Sequence, residues 1–118
     1  TWATAPTLVQ GIGGKALAAM SSIGYGQTWQ DLTGSRAFGT TYYNTTGKPI
    51  FIAVQDFIYS SGAVGVAITV SGTQVNSTNV GGSGGTSYQT TTTIVPPGAS
   101  YSAISTNGRA LGFWKELR

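Results

Sequence analysis

The chain has 118 residues, enough for one compact domain, and only 8% of them are charged, against about 25% in a typical soluble protein. Its net charge is +3, and its six Lys and Arg residues are spread along the chain, so a nucleic-acid-binding surface is not expected. It contains neither Cys nor His, which excludes disulfide bonds and thiolate or imidazole metal ligands and removes the commonest general base.

The first 23 residues predict an irregular or short-helical lead-in. Residues 15–22 (KALAAMSS) have a helical composition, but an isolated helix of fewer than about 12 residues is marginal. Residues 11–15 (GIGGK) share glycines and a lysine with phosphate-binding loops but lack their full spacing and the Ser or Thr after the lysine. No apolar run approaches the ~20 residues of a membrane span, so membrane insertion is not expected.

From residue 26 onward, the sequence predicts β-strands separated by turns rich in Gly, Pro and Asn. Alternation and β-branched or aromatic residues indicate strands at 27–33, 40–46, 49–58, 64–70, 75–80, 86–95, 99–105 and 110–117. The clearest turn signals are SGTQ at 71–74, PPG at 96–98 and NG at 107–108. Seven or eight such strands indicate an all-β fold, an antiparallel β-sandwich of the jelly-roll kind, over residues 24–118.

Two of these strands are expected to carry much of the apolar surface. Residues 49–58 are apolar enough for a central strand that is buried on both faces. In 64–70, the four β-branched residues at even positions would share one face, with the small residues Gly65 and Ala67 on the other. Small residues there would let another surface approach closely, which favours an interface between chains.

Catalysis is not expected, because the sequence offers few groups for it. The only acidic side chains are Asp31, Asp56 and Glu116. A glycosidase needs two carboxyl groups about 5–9 Å apart, and Asp31 and Asp56 would meet that condition only if their strands were adjacent. A surface pair, or an ion pair with Arg36 or Lys48, is the simpler interpretation. Nothing selects a base for the many Ser and Thr hydroxyls, and no cofactor or metal is predicted.

The composition instead favours a binding surface for sugars. Tyr and Trp rings stack on the C–H faces of pyranoses, and Asn, Gln, Ser and Thr supply neutral hydrogen bonds. Binding groups usually lie on loops held by a rigid scaffold, and the loops best suited are 56–62 and 76–88. The glycine-rich run 81–85 would either admit a sugar close to the backbone or simply provide slack. The candidate ligand-binding residues are Asp56, Tyr59, Ser60, Ser61, Asn76, Asn79 and Tyr88.

Four segments resemble a known family. These are 26–30 (GQTWQ), 35–50 (SRAFGTTYYNTTGKPI), 95–101 (VPPGASY) and 114–118 (WKELR), and together they span most of residues 24–118. They are similar to the C-terminal receptor-binding domain of tail-fibre proteins from tailed bacteriophages, prophages and phage-derived bacteriocins. The segment 35–50 is fairly specific, and the shorter motifs are weak on their own.

This resemblance implies a homotrimeric β-sandwich at the distal end of a virion tail fibre, joined by residues 1–23 to an upstream shaft. It implies attachment to a surface polysaccharide, lipopolysaccharide or outer-membrane protein. The matched segments look like framework: Trp29 and Trp114 would pack in cores or subunit contacts, and Arg36 would pair with a carboxylate such as Asp31. No binding residue transfers from the family.

Three functional hypotheses follow. The first is a fibre tip that binds a host-surface glycan without cleaving it, which an exposed aromatic group in a loop region would favour. The second is a structural trimerisation or capping domain, which aromatic residues buried between subunits would favour. The third is a fragment of a polysaccharide depolymerase, which convergence of Asp31 and Asp56 in one cleft would favour.

Overall fold

The computed structural model describes residues 22–82 and 84–118 and confirms an all-β fold built of antiparallel sheets. A single 3-10 turn, Thr33–Ser35, follows the first strand. The predicted helix at 15–22, apart from Ser22, and the segment 11–15 lie outside these described residues. Within them, no helix has the length and apolar character needed to cross a membrane. Their ten strands are β1 (Trp29–Asp31), β2 (Tyr42–Tyr43), β3 (Ile50–Ile58), β4 (Gly62–Val64), β5 (Val66–Val70), β6 (Thr73–Ser77), β7 (Val80–Gly82), β8 (Ser87–Val95), β9 (Ser100–Ser105) and β10 (Ala110–Leu117).

The strands pair as one long hairpin that is folded over on itself. β5 pairs with β6, β4 with β7, β3 with β8, β2 with β9 and β1 with β10, all antiparallel. Two further pairings, β10 with β3 and β9 with β5, join these hairpins into sheets. The first sheet has the order β1-β10-β3-β8 and the second β2-β9-β5-β6, while β4 and β7 form a separate two-stranded ribbon. This wrapping of two four-stranded sheets is a jelly-roll arrangement, as the sequence predicted.

The strands outnumber the predicted seven or eight because two predicted strands are divided. Gly65 separates β4 from β5 within 64–70, and residues 75–80 contribute to both β6 and β7. Position 65 requires glycine, since an added Cβ would lie 1.9 Å from the carbonyl oxygen of Thr78. The close approach that we expected from another chain is therefore made, at this position, by the chain's own backbone.

The core forms between the sheets from alternating residues. In β3 the even-numbered residues 50–56 are buried, and the odd-numbered residues 51–57 are partly exposed. The expectation that both faces of this strand are buried is therefore wrong for the single chain: one face packs in the core and the other lies at the surface. The buried cluster between the sheets comprises Ile50, Ile52, Val54, Val66, Ile68, Val70, Val95, Tyr101, Ala103 and Trp114.

The sandwich has two ends, which we call basal and distal. At the basal end the backbones of Thr28 and Arg118 exchange hydrogen bonds of 3.2 and 3.1 Å, so the chain enters β1 where β10 ends. The distal end is formed by the connections β3–β4 (59–61) and β9–β10 (106–109) and by residues 84–86 before β8. The nine residues of β3 run between these ends, a span of about 30 Å.

Candidate ligand-binding site at the distal end

Three aromatic side chains meet at the distal end, on the outer face of the first sheet. Phe57 and Tyr88 are cross-strand partners on β3 and β8, with ring centroids 6.1 Å apart. Tyr59, just beyond β3, contacts Phe57 edge-on at 4.9 Å. Tyr59 is 74% exposed and Tyr88 is 58% exposed. We call these three residues the distal aromatic cluster.

Strand alternation explains why the cluster forms. Phe57 occupies an odd position of β3, and the odd positions of this strand face outward. The antiparallel register then sets Tyr88 directly beside Phe57. Tyr59 follows two residues after Phe57, so an extended backbone carries its ring to the same side. The cluster therefore presents the faces and edges of two exposed tyrosines on an aromatic base.

Two connections meet beside this cluster. Ser60 and Ser61 are exposed in the β3–β4 connection. The hydroxyl oxygen of Ser61 lies 3.7 Å from where a Cβ on Gly84 would be, so the β3–β4 and β7–β8 connections are neighbours. Gly84 and Gly85 have φ angles of +139° and +69°, which favour glycine, so these glycines serve the turn itself. The structure thus brings together Tyr59, Ser60, Ser61 and Tyr88 of the predicted set.

Asn79 also lies at the distal end, but in the β6–β7 link. Its Oδ1 accepts a hydrogen bond of 2.8 Å from Nδ2 of Asn107, in the β9–β10 connection. The Thr106 hydroxyl meanwhile donates to the carbonyl oxygen of Thr78 at 3.4 Å. These contacts tie two connections together and leave exposed amide groups on this part of the distal end.

Two predicted ligand residues have structural positions instead. Asp56 has no exposed surface, because it occupies an inward-facing position of β3, and its Oδ2 accepts hydrogen bonds of 2.9 Å from the Gly65 amide and the Ser105 hydroxyl. Asn76 lies within β6, and its amide donates to the carbonyl oxygen of Thr92 on β8 at 2.7 Å. Asp56 therefore cannot contact a surface ligand in this chain, and Asn76 joins the edges of the two sheets.

Asp31 and Asp56 do not form a carboxylate pair. Asp31 pairs in register with Lys115 on the outer face, whereas Asp56 points into the sandwich, and β10 separates their strands. Hydrogen bonds from the hydroxyl and amide of Thr33 lower the pKa of Asp31, which is fully solvated. In the part of the chain that the structure describes, no three potential His, Cys, Asp or Glu ligands gather around a point where a metal would sit.

The expected ion pair between Arg36 and Asp31 is replaced by one with Glu116. Arg36 Nε lies 3.3 Å from the Glu116 carboxylate, and Arg118 Nη1 lies 2.7 Å from it. Glu116 has no exposed surface, and the Arg36 guanidinium also lies 4.4 Å from the ring centre of Tyr42. The carboxylate that neutralises Arg36 is thus the buried carboxylate of Glu116, which lies on β10.

Glu116 is the centre of a buried polar network. Tyr101 and Trp114 donate to its Oε2 at 2.8 and 2.9 Å. Burial by itself raises the pKa of Glu116, but hydrogen bonds from Tyr101, Trp114 and Arg118 and the charge of Arg36 outweigh it, so the pKa lies below its ordinary value. Burial, together with the hydrogen bond to this carboxylate, raises the pKa of Tyr101 to about 12. These groups are buried and mutually paired, so they support the fold and do not form a surface site.

A second exposed apolar surface lies at the basal end of the same sheet face. Register places Trp29, Leu117, Phe51 and Ile94 side by side across β1, β10, β3 and β8. Trp29 is 54% exposed and contacts Phe51 edge-on at 5.9 Å, and Ile94 is 51% exposed. We call these four residues the basal apolar row. Of the two predicted framework tryptophans, Trp114 lies in the core, whereas Trp29 lies in this exposed row.

Sequence reasoning missed Phe57 and Asn107. Phe57 was assigned to a strand buried on both faces, although its two-residue spacing from Tyr59 already placed the two rings on one side of an extended segment. Asn107 was interpreted only as part of the turn before Gly108. Its amide reaches Asn79 across the fold, and no local pattern indicates that contact.

The described residues define a class of protein: a jelly-roll sandwich with an exposed aromatic cluster at the end opposite chain entry. Comparison of the chain with protein-family models gives no match, and comparison with curated proteins gives none either. The resemblance to tail-fibre tips stays a prediction.

Proposed function

We propose that the chain is the tip domain of a phage tail fibre and attaches to a glycan on the bacterial surface, a polysaccharide or lipopolysaccharide, without cleaving it. The observation that carries this proposal is the position of the distal aromatic cluster. The chain enters the sandwich at Thr28, about 30 Å away at the basal end. A shaft preceding residue 28 would therefore direct the cluster away from the virion and towards the host.

The chemistry of the cluster suits a sugar. Tyr59 and Tyr88 offer flat apolar surfaces for pyranose C–H groups, and their hydroxyls offer hydrogen bonds. Ser60 and Ser61 add neutral donors and acceptors beside them. Tyr59, Ser60 and Ser61 lie on a connection held by long strands, as binding groups commonly do, and Tyr88 lies beside them at the start of β8. Attachment without cleavage is proposed because Asp31 and Asp56 face opposite sides of the first sheet.

We also propose that the chain acts as a homotrimer in contact through the basal apolar row. An exposed row with Trp29 at its edge is the kind of surface that marks an interface. Two register rows of mixed polarity separate this row from the distal aromatic cluster, so one face has room for both contacts; they are Asp31–Lys115–Ala53–Thr92 and Phe113–Gln55–Thr90. Three weak sites per tip would then give avidity for a repeating glycan.

The structural alternative is a trimerisation or capping domain that contacts no receptor. The basal apolar row favours it, because the row predicts association of copies whether or not a ligand exists. The two functions differ in what the distal aromatic cluster does. In the capping domain the cluster would also lie between subunits, and its removal would weaken the trimer.

The test of attachment begins with fluorescently labelled chain on a panel of bacterial cells and their purified surface polysaccharides. We expect saturable binding to particular strains, in competition with the intact polysaccharide of the same strain. The double variant Tyr59→Ala, Tyr88→Ala should lose roughly tenfold or more in affinity, because it removes both stacking surfaces. The matched control is Tyr43→Ala: Tyr43 is 63% exposed on β2, away from the cluster, and its loss should leave binding unchanged.

Light scattering on the same samples separates the two functions. We expect wild-type chain and the double tyrosine variant to be trimers, whereas Trp29→Arg should dissociate. Val75→Arg is the control for a charge placed on another exposed apolar position, 49% exposed in β6. A double tyrosine variant that dissociates, with no cell binding by the wild-type chain across the panel, would favour the capping domain instead.

A further inference from the structure

Among residues 22–82 and 84–118, one positive side chain lies at the distal end, that of Arg109. Of the other Lys and Arg residues that the structure describes, Arg36 and Arg118 bind the buried Glu116. Lys48 contacts the backbone oxygen of Tyr25 near the basal end, and Lys115 lies over Phe113 on the outer face. Among the described residues, Arg109 is in ion-pair contact with no carboxylate. The one acidic residue of the distal end, Asp56, is completely buried. A ligand that reaches this end therefore meets a cation.

The backbone and side chain of Arg109 are held from two sides. Its amide donates to the Ser105 hydroxyl at 2.7 Å, and its Nε donates to the carbonyl oxygen of Ala63 at 2.9 Å. Gly62 makes room for the guanidinium, since a Cβ there would lie 2.7 Å from Nη2. A guanidinium has five donors in a planar fork, and fixing Nε orients the two terminal nitrogens without using them. Such a group is prepared for two-point binding of an anion.

Arg109 lies against β4 and the end of β3, just before the connection that carries Tyr59. The Ile58 side chain approaches the same position above Gly62, to 3.2 Å, and Tyr59 is the next residue. Arg109 is directly followed by Ala110, the register partner of Phe57. Since Ala110 faces outward with Phe57, Arg109 lies towards the other side of the sheet, so the cation and the stacking rings border the same distal rim from its two sides.

We propose that the glycan bound at the distal aromatic cluster is acidic, and that Arg109 binds its carboxylate or phosphate group while Tyr59 and Tyr88 stack on the sugar rings. This inference rests on the proposed function and adds the chemical class of its ligand. Neutral hydrogen bonds would suffice for an uncharged glycan, whereas the ordered, unpaired guanidinium supplies a contact that only an anion uses fully.

The test uses the polysaccharide of a strain to which the wild-type chain binds. One portion is left intact, one has its carboxyl groups chemically reduced to alcohols, and one has its phosphate groups removed with cold aqueous hydrogen fluoride. We expect one of the two treated portions to compete at least about tenfold less well than the intact one, and which portion fails identifies the anion. Affinity for the intact polysaccharide should also fall as salt is raised from 50 to 300 mM.

Substitutions test whether Arg109 is the residue that binds the anion. Arg109→Gln should lose about tenfold or more for the intact polysaccharide but little for the neutralised portion, and Arg109→Lys should fall between because it keeps the charge and loses the fork. Lys48→Gln removes a cation near the basal end and should change nothing. If all three portions compete equally, the acidic ligand is refuted, and if Arg109→Gln binds like the wild-type chain, recognition by Arg109 is refuted; in either case glycan attachment stands. If no cell or polysaccharide binds the wild-type chain, both proposals fail.

Discussion

Replacing Glu116 with Gln tests the account of the interior most sharply. Glu116 accepts from Tyr101 and Trp114 at one oxygen and from Arg118, at 2.7 Å, at the other. Gln has the same shape as Glu but only one acceptor oxygen. Its NH2 group must therefore face hydrogen-bond donors on one side. The side chains of Arg36 and Arg118 are only 16% and 20% exposed, so their guanidinium groups would recover only part of their hydration.

The expected loss follows from these contacts. Hydrogen bonds to a charged group contribute about 1.5–3 kcal/mol each, and breaking a buried ion pair by removing one partner costs about 3–5 kcal/mol. We expect Glu116→Gln to lower the free energy of unfolding by about 3 kcal/mol at pH 7. That is a large share of the roughly 5–15 kcal/mol that stabilises a typical domain.

The assay is urea unfolding of wild-type and variant chains at equal concentration, followed by tryptophan fluorescence between pH 7 and pH 2.5. Because the pKa of Glu116 is lowered in the fold, its contribution is present above the ordinary value of 4.5 and is lost as the pH falls below it. The difference between wild type and Glu116→Gln should therefore narrow in acid. Asp31→Asn, at an exposed carboxylate, is the control and should cost much less than Glu116→Gln. A loss below 1 kcal/mol for Glu116→Gln, or a difference independent of pH, would refute the reasoning.

Two further predictions concern the fold. Gly65→Ala should destabilise the chain by at least about 2 kcal/mol in urea, since its Cβ would collide with the Thr78 backbone, whereas Gly81→Ala, with open space around it, should stay within about 0.5 kcal/mol. Equal losses for the two variants would contradict this packing. Tyr101, with its pKa raised to about 12 from 10.0, should give a late ionisation step in an absorbance titration, and its contribution to stability should be lost as pH rises from 10 towards 12. That loss should be absent in Tyr101→Phe.

The local sequence pattern predicts where most strands lie, whereas contacts between distant residues determine how long some of them are. β3, β8, β9 and β10 were each predicted within one residue of their ends, because Pro and Gly turns bound them. The sequence predicts seven residues for β2, but the structure gives it two, because only Tyr42 and Tyr43 pair with β9. The Tyr and Thr content of the segment favours a strand but does not set its length. Whether Gly65 would divide a strand depended on the Thr78 carbonyl, which no neighbouring residue reveals.

The candidate site shows the same division between local and long-range information. The sequence predicts Tyr59, Ser60, Ser61 and Tyr88 as ligand residues because aromatic and hydroxyl groups flank turns there, and the structure places them near one another. Asp56 was misassigned because it lies near the end of a strand, and its inward position follows from register with the core. The partner of Arg36 was missed for a related reason. Glu116 is 80 residues away along the chain, and only the β10 pairing brings the two together.

The most direct test of receptor attachment is the affinity of the chain for the cells of a strain that binds it, measured for wild type, the double variant Tyr59→Ala, Tyr88→Ala and the control Tyr43→Ala. Light scattering and a thermal melt must first show that all three share one oligomeric state and fold. We expect wild type and control to bind equally and the double variant to bind roughly tenfold or more weakly. Equal binding by all three would place the receptor contact elsewhere on the molecule and contradict the proposal.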